Sequence, residues 1–368
     1  MTEPIYLDNQ ATTPLAPEVF EAMVPWLRDN YGNPHSTHVF GRKAAAAVEI
    51  AREQVAAPFP DAGHVLFTGT ATEAINLAMG AVLELQEQGR NKIIVLATEH
   101  AAVRDTAIAC ERKGFDVLLH PVESDGLIDL DALAAAIDRK TALVGAMLVN
   151  NEIGVIQPIE AIAELAHAKG ALMLCDAVQG YGRVEIPGNI DMAAVSAHKI
   201  YGPKGIGALW VRDDIDIPPL VHGGGQEHGV RSGTLSPALC VGMGSAASLC
   251  ILRAQQDAEH IEALAMHAKR LFSDWTINGD ETQRYRGNLN IRREGLDVAR
   301  LVSDVREVAF SAGSACASGS GRPSHVLTAI GLKPAQVKSS IRLGFGRYNS
   351  LQDIEMAAKL INRAAEAQ

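Results

Sequence analysis

The sequence predicts an α/β protein with a mostly parallel sheet covered by helices in a large domain, followed by a smaller α+β domain. Between about residues 60 and 211, short apolar runs rich in β-branched residues alternate with longer segments of helical period. Glycine follows several of these segments, at Gly89, Gly114 and Gly170, where helices commonly end. After a long helical stretch at about 237–272, strands and helices mix without strict alternation.

Six apolar runs give the strands of the large domain in order: HVLF (64–67), KIIVLA (92–97), DVLLH (116–120), ALVGAMLV (142–149), ALMLCDA (171–177) and ALWV (208–211). The helices predicted between them cover 72–88, 101–113, 129–139 and 158–169. In the C-terminal part, strands are predicted near 288–291 and 342–345, and helices over 297–305 and 351–367. Ligands of such sheets bind at the carboxyl ends of the strands, so residues just after the runs are candidates for chemistry.

Composition argues against several classes of protein. The 33 Lys+Arg and 43 Asp+Glu residues leave a net charge of −10, so no general attraction for nucleic acid or an anionic membrane is expected. The N-terminus lacks a basic region followed by an apolar run, which predicts a cytoplasmic protein. Five cysteines without CxxC spacing argue against a disulfide framework and a structural zinc site, so we expect no metal.

Two residues at strand ends point to one cofactor chemistry. Lys199 follows a predicted strand and precedes a turn dense in Gly and Pro, which suits a Schiff base, although a surface lysine would look similar. Asp176 ends an apolar run, where an unpaired carboxylate is costly to bury and a cationic partner is favoured. The pyridinium nitrogen of pyridoxal phosphate is such a partner, and a lysine holds the aldehyde of that cofactor as an imine.

A phosphate cradle is the second candidate feature. In FTGTATEAINLA, a strand runs through a Gly/Thr turn into a helix that begins near Thr72, so backbone N–H groups would face an anion. The hydroxyls of Thr72 and Ser196 and the ring of His198 could complete this cradle. An ordinary helix cap with Glu73 in the first turn remains the alternative.

A series of segments spread over nearly the whole chain carries a family resemblance. They are LDNQATTP (7–14), GNPHSTHVFGR (32–42), TEH (98–100), NNEIGVIQPI (150–159), DAVQGYG (176–182), SAHKIYGPKGIGAL (196–209), GGGQEHGVRSGT (223–234), SAGSACASGS (311–320) and SIRLGFGR (340–347). Together they resemble the cysteine desulfurases, class V aminotransferases of the fold-type-I pyridoxal-phosphate architecture. The resemblance implies a large domain (15–255) with a seven-stranded type of sheet, and a small domain formed by 1–14 and 256–368.

The resemblance also implies roles for individual residues. Lys199 would form the Schiff base with pyridoxal 5'-phosphate and move the Cα proton, while His100 would lie against the ring and is a candidate base. The cofactor set is Ala71, Thr72, His100, Asn151, Asp176, Gln179, Ser196, His198 and Lys199. Thr234 would reach the phosphate of the neighbouring subunit, which implies a homodimer with shared active sites. Arg342 would hold the substrate carboxylate through a bidentate fork that a lysine cannot reproduce, and Asn151 would contact both cofactor and substrate.

Cys316 decides the reaction class. It lies in SAGSACASGSG, whose four serines and three glycines predict a loop, at about 311–321, rather than a strand or helix. We expect the other four cysteines to be small buried hydrophobic residues: Cys110, Cys175, Cys240 and Cys250. A thiolate on a loop can attack the sulfur of a bound substrate and carry it away. In the family, L-cysteine becomes L-alanine and the sulfur passes as a persulfide to an acceptor for iron-sulfur cluster or thio-cofactor synthesis.

Other functions remain possible from the sequence, and the chain differs from the family pattern at two places. A selenocysteine lyase or a transaminase could use the same fold, although a transaminase has no use for Cys316, and a non-catalytic sulfur carrier is a third possibility. Thr70 replaces a smaller residue of the family in the phosphate turn, where its Cβ would crowd a close backbone approach. The chain ends soon after Arg347, whereas relatives that dock an iron-sulfur scaffold protein extend further, so such docking is in doubt.

Overall fold

The computed structural model describes residues 4–312 and 323–368, and Cys316 lies outside these residues. The strands are β1 (Ile5–Tyr6), β2 (Gly63–Thr68), β3 (Lys92–Leu96), β4 (Asp116–His120), β5 (Thr141–Met147), β6 (Leu172–Asp176), β7 (Met192–Ser196), β8 (Gly207–Arg212), β9 (Thr276–Ile277), β10 (Asn288–Arg292), β11 (Val308–Ala309) and β12 (Ser340–Gly344).

The helices enclose the sheets on both sides. They are α1 (Pro17–Arg28), α2 (Val39–Ala56), α3 (Ala71–Ala78), α4 (Ala81–Gln86), α5 (Ala101–Cys110), α6 (Leu130–Ala136), α7 (Ile159–His167), α8 (Pro237–Leu271), α9 (Val298–Asp304), α10 (His325–Ala329), α11 (Pro334–Lys338) and α12 (Leu351–Glu366). The helix predicted over 72–88 is two helices, because the chain turns at Gly80. A Cβ at that position would lie 2.9 Å from the carbonyl oxygen of Leu77.

The central sheet has seven strands in the described residues, in the order β2-β8-β7-β6-β5-β3-β4. Strands β3 to β7 are parallel to their neighbours, and β8 is antiparallel to both β7 and β2. It follows that β2 runs in the same direction as β7, and that the carboxyl ends of β2, β3, β5, β6 and β7 share one edge. The mostly parallel sheet predicted from the sequence is thus confirmed, and its ligand edge is defined.

Side chains on the two faces of this sheet build two separate cores. Phe67, Val144 and Met173 point to one face, and the residues next to them in sequence point to the other. This alternation is the period-two pattern of a strand. All of β5 is buried, as is typical of a central parallel strand covered by helices on both faces.

The C-terminal part forms its own core around a three-stranded antiparallel sheet, β12-β10-β9. The N-terminus joins this part, because β1 pairs in parallel with β11 and Asp8 bridges to Gly344. The domain boundary predicted at residue 255 falls inside the continuous helix α8, and the division stays a prediction.

Helix α8 also has an apolar stretch long enough, by length and composition only, to cross a membrane. It packs along α1 and α2, and its buried residues belong to the cores of both parts of the chain. Such packing is typical of the core helix of a globular protein.

Candidate active site

Lys199 lies at the ligand edge of the sheet, at the end of the single 3-10 turn that follows β7. Its Nζ donates hydrogen bonds to the carbonyl oxygens of Gln10 (2.6 Å) and Ala11 (2.8 Å). The turn is fixed from the same side, because the hydroxyl of Thr13 accepts from the N–H of Tyr201 at 2.7 Å. Tyr201 has a φ of 65°, which a bulky residue rarely adopts. The N-terminal segment therefore holds both the lysine and the strained turn after it.

Asp176 ends β6, beside the strand that leads to Lys199, and is only 4% exposed. One carboxylate oxygen accepts from the N–H of Val178 at 3.0 Å. Burial raises the pKa of Asp176, while the nearby charges of His100 and Lys199 lower it. Within the described residues Asp176 has no ion pair, so this edge of the sheet holds a buried acid suited to a cationic ligand atom.

Gln179 follows Asp176 by one turn and lies in the same hydrogen-bond network. Its amide N–H donates to the carbonyl of Gln10 at 2.8 Å, and its amide oxygen accepts from Arg183 at 2.7 Å. The carbonyl of Gln10 therefore accepts from both Gln179 and Lys199. The motif LDNQATTP marked this segment in the sequence, but no residue pattern assigned Gln10 a contact with the lysine.

His100 follows β3 and caps helix α5. Its Nδ1 accepts a hydrogen bond from the N–H of Ala102 at 3.1 Å. The neutral ring in this geometry carries its proton on Nε2. The preceding residue, Glu99, is fully buried and accepts from the N–H of Met147 at 2.7 Å. Burial raises the pKa of Glu99, and the charge of Asp176 raises it further, so sequence reasoning missed a second carboxyl beside the site.

Two residues predicted to hold the phosphate, Ala71 and Thr72, are the first two residues of α3. Thr70 is the N-cap, its hydroxyl accepting from the N–H of Glu73 at 3.1 Å. The side chain of Thr70 is exposed, and the expected effect of its Cβ on a close backbone approach stays a prediction. The close approach falls on Gly207 of β8, where a Cβ would lie 2.7 Å from the backbone nitrogen of Ala71.

Ser196 and His198, also predicted to hold the phosphate, lie at the end of β7 and in the 3-10 turn that follows it. Ser196 is the last residue of the strand and is buried. The ring of His198 lies 3.1 Å from the hydroxyl of Thr12. Burial, with the nearby charges of Lys199 and Lys204, lowers the pKa of His198 to about 4. The ring is therefore neutral at physiological pH and can donate a hydrogen bond to an anion without adding charge.

Arg342 lies in β12 and is 1% exposed. Its Nη1 donates to the carbonyl of Asn151 at 2.9 Å, and its Nη2 donates to Asp8 at 2.7 Å and to the hydroxyl of Ser311 at 3.4 Å. Its buried Nε has no partner among the described residues, nor has the buried side-chain oxygen of Asn151. A buried donor or acceptor without a partner is costly unless a ligand pairs it.

These residues fit pyridoxal phosphate with an amino acid bound to it. Asp176 is a buried acid for the ring nitrogen, Lys199 is an amine at the same edge, and a helix N-terminus offers N–H groups to the phosphate. Among the described residues, the open Nε–H of Arg342 can donate to a carboxylate, and the open side-chain oxygen of Asn151 can accept from an N–H of a ligand. Thr234 is exposed in the segment before α8. Its predicted contact with a neighbouring subunit, like the role of Cys316, stays a prediction.

Comparisons with known proteins agree with this geometry. A family model described as aminotransferase class-V matches residues 5–356. A cysteine desulfurase IscS of Rickettsia rickettsii (strain Iowa) is 42% identical over 372 residues, which cover 98% of the chain and 91% of that relative. A solved structure described as a NifS-like protein is 32% identical with a TM-score of 0.92, covering 99% of this chain and 100% of that one. The structure of SspA in complex with cysteine is 35% identical with a TM-score of 0.81, covering 94% of this chain and 99% of that one.

Proposed function

The chain belongs to the class-V aminotransferases and, among them, to the cysteine desulfurases, and from this premise we propose how its residues share the reaction. The substrate is L-cysteine and the products are L-alanine and a persulfide on Cys316. The thiolate of Cys316 forms an S–S bond with the substrate sulfur as the C–S bond breaks. The electron pair of the broken bond stays with the carbon skeleton, which takes up a proton and leaves as L-alanine.

The observation that carries this proposal is the position of the chain on either side of the segment that contains Cys316. Before it, Ser311 pairs through its backbone with Arg342, the predicted carboxylate anchor. After it, the hydroxyl of Ser324 donates to Glu152 at 2.5 Å, and the ring of His325 lies 2.8 Å from the carbonyl of Glu99. Five residues of chain span at most about 18 Å, so the pairing of Ser311 with Arg342 supports a transfer of sulfur to Cys316 from a substrate held by Arg342.

The other cysteines support the same assignment. Cys110, Cys175, Cys240 and Cys250 are all buried. Burial raises the pKa of each thiol, to about 12 for Cys240. A raised pKa keeps these four as thiols, whereas the attacking group in sulfur transfer is a thiolate. By this argument the sulfur carrier is the cysteine outside the described residues.

Pyridoxal phosphate, when bound, supplies an electron sink for the substrate carbon. Lys199 would bind its aldehyde and move the proton at the substrate Cα, and Asp176 would hold the ring nitrogen protonated. Gln179 would bond the phenolic oxygen of the ring, and His100 would lie against its face. Ala71, Thr72, Ser196 and His198 would hold the phosphate, and the carboxylate of the substrate would bind Arg342 and Asn151.

The finer biological setting is also part of the proposal. The enzyme acts as a cytoplasmic homodimer in which Thr234 of each subunit reaches the phosphate bound by its neighbour. The persulfide sulfur passes to an acceptor protein for iron-sulfur cluster or thio-cofactor synthesis. Such a transfer suits a reactive cysteine carried between anchored chain ends, because the sulfur must leave the substrate pocket.

The experiment uses Cys316→Ala with Cys110→Ala as the matched control. After treatment of the purified holoenzyme with L-cysteine, intact-protein and peptide mass spectrometry should find one added sulfur on Cys316 of the wild type and of Cys110→Ala. Cys316→Ala should gain no sulfur and release no alanine, while its visible imine absorbance stays as in the wild type. Sulfur transfer by Cys316→Ala at the wild-type rate would sink the assignment. Borohydride should trap the cofactor on Lys199 in all three proteins.

A further inference from the structure

Asp8 forms an ion pair with Arg342 that the desulfuration scheme does not use. Its Oδ1 lies 2.7 Å from Nη2 of the arginine, and the two residues are 334 positions apart in sequence. We propose that Asp8 is a specificity-determining residue, which neutralises Arg342 in the free enzyme and is displaced from Nη2 by the substrate α-carboxylate. This inference rests on the proposed role of Arg342 as the carboxylate anchor.

The geometry of the guanidinium indicates why the two carboxylates compete. A bidentate bond to a carboxylate uses two neighbouring N–H groups along one edge of the guanidinium. Nε and Nη2 form such an edge, as Arg347 illustrates by donating both to Asp257, at 2.8 and 2.6 Å. In Arg342 the Nη2 of this edge is bonded to Asp8, while the buried Nε has no partner in the described part of the chain. Nη2 has two N–H groups, which donate to Asp8 and, at 3.4 Å, to the hydroxyl of Ser311. A substrate carboxylate that takes the full edge therefore needs one of these two places, and our proposal is that it takes the place of Asp8.

Burial indicates which partner moves. The side chain of Arg342 is 1% exposed, and that of Asp8 is 18% exposed. The backbone of Asp8 is fixed, because its carbonyl accepts from the N–H of Ala11 at 2.9 Å and its residue bridges to Gly344. When Asp8 is displaced, its side chain therefore rotates away from Arg342 toward the side on which it is exposed. The backbone does not move.

The exchange has a definite consequence for binding. An arginine buried without an anion is costly, and Asp8 removes this cost while the site is empty. Any ligand with an α-carboxylate binds more weakly than it would to an unpaired guanidinium, because it first breaks an existing charge-assisted bond. A ligand without a carboxylate does not compete with Asp8. L-Alanine carries the same carboxylate as L-cysteine, so the exchange also favours release of the product.

The test compares Asp8→Asn with Asp8→Glu in the holoenzyme, in a buffer free of carboxylates. Asparagine keeps an oxygen of similar size without the charge, whereas glutamate keeps the charge. For Asp8→Asn, we expect the Kd of L-alanine, measured by calorimetry, and the KM of L-cysteine to fall roughly tenfold. Asp8→Glu should stay near the wild type. The Kd of cysteamine, which lacks the carboxylate, should not change in either variant.

Other outcomes separate this inference from the proposed function. If Asp8→Asn weakens L-alanine binding or leaves it unchanged, or if cysteamine responds equally, the displacement is wrong. Arg342→Lys tests the premise, because a loss of L-alanine affinity there supports the anchor even where Asp8→Asn overturns the exchange. If Arg342→Lys leaves L-alanine affinity intact, the anchor itself is wrong. Asp257→Asn is the matched control, since it removes the acid of a similar buried pair and should leave the Kd of L-alanine unchanged.

Discussion

Two buried arginine–aspartate pairs, Arg342–Asp8 and Arg347–Asp257, differ in which guanidinium atoms are left without a hydrogen bond in the described residues. The side chains of Arg342 and Asp8 are 1% and 18% exposed, and those of Arg347 and Asp257 are 3% and 17% exposed. Asp257 accepts from both Nε and Nη2 of Arg347, whose guanidinium lies 4.2 Å above the ring of Tyr201. Arg342 shares only Nη2 with its aspartate.

The difference lies in the edge of the guanidinium that stays available and in what surrounds it. Among the described residues, the atom of Arg347 without a hydrogen bond is Nη1. Burial raises the pKa of the Cys250 thiol, and the charge of this arginine offsets part of that rise. Among the described residues, the atom of Arg342 without a hydrogen bond is Nε, and the side-chain oxygen of Asn151, whose carbonyl accepts from Nη1, also has no partner. Burial and charge are nearly the same in the two pairs, so neither would separate a structural arginine from a ligand-binding one. We expect the half-occupied Nε–Nη2 edge of Arg342 to make that distinction.

The largest effect should come from breaking the closed pair. Arg347→Met leaves Asp257 without its cation and removes the stack on Tyr201. The free energy of unfolding should fall by about 3 kcal/mol, because removing one partner of a buried pair is strongly destabilising. Urea denaturation of the holoenzyme measures this change. The kcat/KM per folded active site should stay near the wild type, and a variant of normal stability without activity would show that the comparison is wrong.

The open pair should respond in activity rather than stability. Arg342→Lys keeps the charge but loses the planar fork, so kcat/KM for L-cysteine should fall by about 10²-fold. Urea denaturation should show a smaller loss of stability than for Arg347→Met, because Asp8 keeps a cationic partner. Steady-state kinetics with L-cysteine measure the loss. Retention of wild-type kcat/KM would mean that the open edge of Arg342 holds no carboxylate.

Gly207 extends the comparison to the phosphate side of the site. An added Cβ would lie 2.6 Å from the carbonyl carbon of Thr70 and 2.7 Å from the nitrogen of Ala71. Gly207→Ala should therefore displace the start of α3 and cost about 1–3 kcal/mol of stability, with weaker binding of pyridoxal phosphate. Equilibrium dialysis of the cofactor and urea denaturation measure the two effects. Gly188→Ala is the matched control, since nothing lies within 4 Å of its added Cβ, and equal effects in both variants would contradict the argument.

The smallest effect should be a dependence of stability on pH that comes from His198. Neither arginine can cause it, because a guanidinium does not deprotonate in proteins. The pKa of His198 is lowered from 6.5 to about 4 by burial and by Lys199 and Lys204. Above pH 6.5 the lowered pKa does not affect the stability of the fold. As the pH falls from 6.5 toward 4, the unfolded state binds the proton first, so the folded protein becomes progressively less stable. Between pH 6.5 and pH 4, the free energy of unfolding should therefore fall by about 1 kcal/mol less in His198→Gln than in the wild type, a figure that allows for the partial exposure of the ring. Thermal unfolding of the cofactor-free protein between these pH values measures it, and identical curves would contradict the prediction.

Much of the sheet was predictable because its strands are continuous apolar runs and its ligand edge follows from parallel pairing. Lys199 and Asp176 could be singled out by position, since each stands just after a strand and a buried charge there needs a partner. Strand β7 gives a weaker signal, because its residues, MAAVS, include two alanines. The division of the predicted helix into α3 and α4 at Gly80 depends on local packing, which the spacing of apolar residues in the sequence does not reveal.

The contacts of Asp8 and Gln10 were beyond sequence reasoning for a physical reason. Asp8 meets Arg342, and Gln10 meets Lys199, only after both domains have folded and brought distant segments together. The motif around them marked the segment without revealing which atom meets which. The same holds for Thr70, where the sequence indicated a tight approach but not that Gly207, on another strand, provides it.

The N-terminal segment has a consequence for biosynthesis. Its residues bind Lys199, Arg342 and the strand at Val308–Ala309, so the pocket needs the beginning and nearly the end of the chain at once. A nascent chain on the ribosome presents Lys199 long before Arg342 has been synthesised. The predicted substrate pocket can therefore form only after Arg342 has been synthesised, and by the proposed mechanism chains that lack this residue would generate no reactive sulfur.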